Sequence, residues 1–212
     1  VDTPHVAIGM PCQDWMWTKS VQGLISVLLT TPGCRLLMPT DGCTIARKRN
    51  VIVEHFLAVA ENTHLLFLDS DMLPPADVVE RLAAHDQDVV AALCFGRWAP
   101  YPPMAGRGTA KKFTYLAGWD PARPLIPVDW VGTGCVLIKR RVFEKLPAPW
   151  FVATDVGLGS DSYFCEKARG KGFGVFVDVA TVAGHIGAQS VDLNYKTKPW
   201  LNPGAVTFAA LQ

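Results

Sequence analysis

Asp69 and Asp71, one residue apart, close the apolar run His64-Leu65-Leu66-Phe67-Leu68. Carboxylates at that spacing, just past a buried strand, make a hard-oxygen site for a divalent cation. Magnesium and manganese suit it, because they accept one or two carboxylates and fill their other positions with water and substrate phosphates. Such an ion would offset the charge of a diphosphate and stabilise it as a leaving group. The bland alternative is an aspartate that caps or turns the chain into a helix opened by Pro74-Pro75. Asp-x-Asp arises often by chance, so its position carries more information than its composition.

The elements around the motif set that position. His5 to Met10 reads as a short buried strand stopped by Pro11, and Ser20 can cap a helix with Val21, Leu24, Ile25 and Leu28 on one face. Arg35 to Met38 is a second strand stopped by Pro39, and Thr44 can cap a helix running to about Glu61. His64 to Leu68 is a third strand, Ala76 to His85 a helix opened by the two prolines, and Asp88 to Leu93 a fourth strand. This alternation predicts an α/β fold: a parallel sheet with helices on both faces. Ligands in such sheets sit beyond the carboxyl ends of the strands, where Asp69-Ser70-Asp71 lies. Arg97 to Pro127 reads as loops with a short hairpin at Phe113-Thr114-Tyr115. Val128 to Val131 and Cys135 to Ile138 read as strands, and Arg141 to Leu146 and Asp161 to Gly170 as helices. Gly174 to Val177 and Thr181 to Ala183 read as two late strands.

Several blocks in this order are similar to a known family. Thr63 to Pro75 around Asp69-Ser70-Asp71 resembles the metal-site segment of family 2-like GT-A glycosyltransferases, phage-type members included. The resemblance extends to Thr44-Ile45-Ala46-Arg47-Lys48-Arg49-Asn50, to Gly159 to Ala168, and to Val182-Ala183-Gly184-His185-Ile186-Gly187, spanning about residues 5 to 187. It implies a single GT-A domain over 1–187 with a Rossmann-like, mostly parallel sheet, and 188–212 as a tail or lid of that domain. It also implies transfer of a sugar, with inversion, from a UDP- or GDP-sugar to an acceptor hydroxyl on a glycan, small molecule, protein or modified DNA base, with Mn2+ or Mg2+ as cofactor.

Residue by residue, the resemblance makes Asp71 the direct metal ligand and Asp69 a contact to sugar or ribose that assists it. His185 completes the metal site, and imidazole suits manganese better than magnesium; a structural histidine at a strand end is the alternative. Asp161 becomes the base that takes the acceptor proton. Its alternative is an acidic first-turn residue favoured by the helix dipole by ~0.3–1 kcal/mol. Many relatives carry Glu-Asp where this chain has Ser160-Asp161, and Asp155 is a nearby competitor. Arg49 matches a contact to the diphosphate or donor sugar, against a solvated Arg-Lys-Arg face. Pro11, Cys12 and Gln13 fall where relatives hold the nucleobase. Trp130 to Gly134 resembles the lining of the donor sugar and acceptor, with Gly132 and Gly134 admitting close backbone approach, against an ordinary strand bulge.

Bulk properties narrow the remaining classes. The 212 residues carry 20 basic and 19 acidic side chains, which gives no global footprint for nucleic acid or an anionic membrane. Arg97, Arg107, Lys111 and Lys112 form a local basic stretch suited to an anionic acceptor or simply to solvent. Six cysteines without a Cys-x-x-Cys pair rule out a zinc-finger spacing and predict buried free thiols. No apolar run reaches the ~20 residues of a membrane span. Val1 to Pro4 lack the basic and apolar regions of a signal peptide, and the cytoplasm is the default expectation. The tail residues Tyr195, Lys196, Lys198 and Trp200 fit a closing lid, an oligomer arm or a disordered end equally.

Three other readings stay open. A haloacid-dehalogenase-type phosphatase uses Asp-x-Asp after an apolar strand, though on its first strand and without a following Pro-Pro. A sugar nucleotidyltransferase shares the fold logic but has a Gly-rich basic loop that Ile8 to Asp14 lacks. A non-catalytic sugar-nucleotide binding module would keep the pocket and lose turnover.

Overall fold

The computed structural model describes residues 5–40, 43–153, 159–187 and the backbone of 190–191. Asp155, and the proposed tail from 188 apart from that two-residue backbone, lie outside the described residues. In chain order the elements are β1 (Val6–Gly9), α1 (Thr18–Thr30), β2 (Arg35–Leu37), α2 (Ile45–Leu57), β3 (His64–Leu68), β4 (Met72–Leu73), α3 (Val78–Ala84), β5 (Val89–Leu93) and β6 (Ala105–Gly108). There follow β7 (Phe113–Tyr115), β8 (Leu125–Val128), β9 (Trp130–Val131), β10 (Cys135–Lys139), α4 (Arg140–Lys145), α5 (Gly159–Arg169), β11 (Val175–Val182), β12 (Gly184–Ile186) and β13 (Ser190–Val191).

The main sheet has seven strands in the order β2-β1-β3-β10-β5-β11-β8. β2, β1 and β3 are mutually parallel, and β11 is parallel to β5. β10 runs antiparallel to both β3 and β5, and β8 antiparallel to β11. The fold is therefore mixed α/β, with five strands in one direction and two reversed. Periodicity reports which residues are buried, not which way a strand runs.

Why the central strands are apolar throughout is visible in their alternation. Leu65 and Phe67 of β3, Val89, Ala91 and Leu93 of β5, and Val136 and Ile138 of β10 join one core with α2, α4 and α5. Leu66 and Leu68, Val90 and Ala92, and Cys135 and Leu137 join a second core with α1 and α3. Both sheet faces are covered, so every position must be apolar, as strands buried on two sides require. Gly9 has no room for a side chain: a Cβ there would stand 2.5 Å from Ile52 of α2.

Several boundaries differ from the sequence reading. α1 starts at Thr18, and Ser20 is buried inside its first turn rather than capping it. Thr44 does cap α2, its hydroxyl accepting from the Arg47 amide. That helix stops at Leu57, short of Glu61, where Arg140 donates to the Leu57 and Val59 carbonyls. A guanidinium there satisfies carbonyls orphaned at the helix end and suits its dipole. α3 starts at Val78 rather than Ala76. The two late strands are one, β11, carrying an irregularity where Asp178 accepts from the Ala180 amide and the Thr181 hydroxyl.

Cys12, Cys94, Cys135 and Cys165 are buried thiols. Burial pushes Cys135 and Cys165 up to about 12, which makes them poor nucleophiles. Among the described residues, no helix is long and apolar enough to cross a membrane.

Candidate functional site

β3 carries Asp69 out of the core at its carboxyl end, where the Asp69 amide donates to Gly134 O at 2.9 Å and Met72 N donates to Asp69 O at 3.1 Å. That tight turn leads into β4, which pairs antiparallel with β12 with His185 opposite Met72. The Ile186 amide donates to Asp71 O at 2.8 Å. Short strands this close to proline gave no signal in the sequence, yet they bring Asp71 and His185 together across 114 positions. His185 Nε2 lies 3.2 Å from Asp71 Oδ2.

The other imidazole nitrogen settles the tautomer. His185 Nδ1 is 2.8 Å from the Phe95 carbonyl oxygen, which can only accept, so Nδ1 carries a proton. Nε2 then faces a carboxylate with either a second proton or a bare lone pair. A backbone carbonyl behind one nitrogen and a free second nitrogen is the usual arrangement of a metal-ligating histidine. Burial works against ionisation of Asp71, but the His185 hydrogen bond, its charge and that of Arg97 hold the carboxyl below its ordinary range. Burial likewise opposes charge on His185, and the bond and charge of Asp71 outweigh it, raising the imidazole.

Asp69 has a different neighbourhood. Arg49 is 3% exposed. Its Nη2 donates to both Asp69 oxygens at 3.1 Å, and its Nη1 donates to Asp161 Oδ1 at 2.6 Å and to the Ser160 hydroxyl at 3.1 Å. Desolvation disfavours the charged guanidinium, but the two carboxylates prevail and raise its pKa. Burial pushes the Asp69 carboxyl up, with Arg49 opposing. Asp161 sits in the first turn of α5, its Oδ1 also accepting from the Ser160 hydroxyl and its Oδ2 from the Thr133 amide at 3.1 Å. The adjacent Asn50 ties down the irregular segment after α4: its Oδ1 accepts from the Trp150 and Phe151 amides at 2.9 and 3.0 Å, and its Nδ2 donates to Phe151 O at 2.7 Å.

The solvated-face reading of Arg47-Lys48-Arg49 fails for its last two members, since Lys48 is also 3% exposed and donates to Cys12 O. Arg49 turns inward to carboxylates, so its terminal nitrogens are not offered to a phosphate. Local sequence could not reveal this, because the partners Asp69 and Asp161 are 20 and 112 residues away.

A cavity of about 260 Å³ opens over the site, with Pro11, Cys12, Gln13, Trp15, Trp17, Lys48, Asp69, Ser70, Asp71 and Arg97 in its lining. Trp15 and Trp17 are 62% and 45% exposed, their rings edge to face at 5.8 Å. Of the residues nominated from sequence, Pro11, Cys12, Gln13, Asp69 and Asp71 line this cavity, whereas Asp161 stands behind Asp69 and Arg49, outside the lining. His185 and Arg49 reach it through their carboxylate partners. Gly134 sits against Met72, where a Cβ would lie 3.2 Å from the sulfur, and Gly132 against Met104, where it would lie 3.1 Å from Cβ. Both glycines thus serve close packing around Asp69 and Thr133 rather than the cavity wall.

Sequence reasoning stopped at Gln13 and so passed over the two tryptophans. It placed Arg97 in a basic stretch with Arg107, Lys111 and Lys112. In the fold Arg97 Nη2 pairs with Asp71 Oδ2, whereas Arg107 lies 4.0 Å from Asp129.

Among the described residues no group of three His, Cys, Asp or Glu stands ready to hold a metal. Two donors of the right chemistry, Asp71 and His185, do converge. That set fits an ion shared with substrate phosphates and not one caged wholly by protein.

No family model and no curated protein matches the chain. Among solved structures it is similar to A197 from STIV, with a TM-score of 0.63 and 20% identity over 86% of each chain. At that identity the likeness is one of fold.

Proposed function

We propose that this protein is a metal-dependent glycosyltransferase of the GT-A type, transferring a sugar from a UDP- or GDP-sugar to an acceptor hydroxyl with inversion. The observation that carries the reading is the meeting of Asp71 with His185 Nε2 beside a cavity that Asp71 lines beyond the strand ends. Asp71 and His185 would hold Mn2+ or Mg2+, which supplies charge neutralisation for a departing diphosphate. Trp15 and Trp17 offer stacking faces for a nucleobase beside Pro11. Asp161 Oδ2, with one amide donor, retains a lone pair for an acceptor hydroxyl.

The phosphatase alternative asks Asp69 to act as a nucleophile, and both of its oxygens face Arg49. The non-catalytic binding module has one observation in its favour: Asp161 is tied into the same clamp. A panel of UDP- and GDP-sugars with Mn2+ tests the proposal. Metal-dependent thermal stabilisation and slow donor hydrolysis are expected, both abolished by Asp71→Ala. Stabilisation without hydrolysis or transfer would favour the binding module; no metal-dependent response to any donor would sink the reading.

A further inference from the structure

Arg97 pairs directly with Asp71, the proposed metal ligand, and nothing in the transferase reading requires it there. It follows β5 in a loop whose base is pinned: Gly96 N donates to Pro102 O at 2.8 Å, and Met104 N donates to Cys94 O at 2.8 Å. Tyr101 N closes the turn on Trp98 O at 2.7 Å. The backbone at Arg97 is thus anchored, and the long side chain is its movable part. That side chain lines the cavity, is 45% exposed and pairs with Asp71 Oδ2, the same oxygen that faces His185.

An ion seated between Asp71 Oδ2 and His185 Nε2 would stand against the guanidinium that now uses the same oxygen, two cations in contact. The guanidinium must leave when the ion arrives. Asp69 is a poorer refuge, because its charge is already paired with Arg49, which donates to both of its oxygens. The anion that accompanies the ion into the cavity, a diphosphate, is the partner a displaced guanidinium recognises best.

We propose that Arg97 is a built-in stand-in for the divalent ion: it neutralises Asp71 while the ion is absent and passes to the donor's diphosphate when the ion binds. Ion and diphosphate therefore bind as a coupled pair, each raising the other's affinity. This rests on the metal-and-donor reading above and adds to it a residue that couples the two ligands. Coupling of this kind is reciprocal by linkage.

Titration calorimetry of the whole chain tests it, with Mn2+ alone and then with inorganic pyrophosphate added to the Mn2+-saturated protein. Arg97→Gln should bind Mn2+ alone about five- to tenfold more tightly than the parent, because the competitor is gone. The same variant should bind pyrophosphate about tenfold more weakly, because the diphosphate has lost its guanidinium. Arg97→Lys keeps the charge and should stay near the parent for Mn2+. Mn2+ affinity unchanged in Arg97→Gln overturns the stand-in role. Tighter Mn2+ with unchanged pyrophosphate affinity overturns the transfer to diphosphate. Neither failure touches the metal site itself; a parent protein that binds no Mn2+, with or without pyrophosphate, overturns both the inference and the reading beneath it.

Discussion

Asp69 and Asp71 leave the same strand end into unlike surroundings. Around Asp69 the charges pair within the protein: a buried guanidinium bridges two carboxylates, with Ser160 and the Thr133 amide beside them, although Asp69 still borders the cavity and the buried Arg49 Nε has no partner. Around Asp71 they remain open to the cavity, with a half-exposed arginine on one side and an imidazole on the other. A closed network holds elements together, here β3, α2 and α5. An open one can trade a protein partner for a ligand at small cost to the fold.

That contrast can be broken most forcefully at Arg49. Arg49→Met leaves two partly buried carboxylates facing each other and should cost about 3 kcal/mol of stability, a fall in Tm of about 6–12 °C. A loss below about 1 kcal/mol in urea unfolding would mean that the network is not closed. Asp161→Asn comes next. Its amide must point a donor at either Arg49 or the Thr133 amide, at about 2 kcal/mol. Donor binding should persist while transfer falls by about 10²–10⁴; full transfer by this variant would remove Asp161 as the base. Asp71→Asn should change stability by less than about 1 kcal/mol, since its ion partners are exposed or titratable.

A further effect is one of pH. The raised pKa of His185 means that its pairing stabilises the metal-free fold fully below the ordinary 6.5 and is lost as pH rises through the folded value. The lowered pKa of Asp71 means that its contribution is present above the ordinary 3.8 and lost as pH falls through the depressed value. The pair is therefore at full strength between those limits. Metal needs the unprotonated Nε2, so Mn2+ binding followed by calorimetry should strengthen by up to about tenfold per pH unit until His185 is neutral. A flat profile from pH 6 to 8 would take His185 out of the site.

The sequence was most readable where burial is uniform. β1, β5 and residues 65–68 of β3 are apolar throughout because both faces are covered, and Asp69-Ser70-Asp71 marks where β3 leaves the core. Thr44 announced α2 because capping is a local event. The reversed β10 and β8 were not readable, since a strand's direction leaves no trace in its hydrophobic pattern. Nor was the pairing of β4 with β12, whose two and three residues are too few to show a period. Arg49 looked like a ligand contact because its partners come from the ends of β3 and the start of α5, and only the fold brings them to one guanidinium.

Arg49 and Asn50 also have a consequence for how this scaffold can change. Neighbours on one helix, they hold Phe151 on one side and Ser160 and Asp161 on the other, so one turn of α2 anchors both. A substitution that shifts that turn would move both anchor points together, and the spacing between the β3 and α5 carboxylates holds only while the turn stays in place.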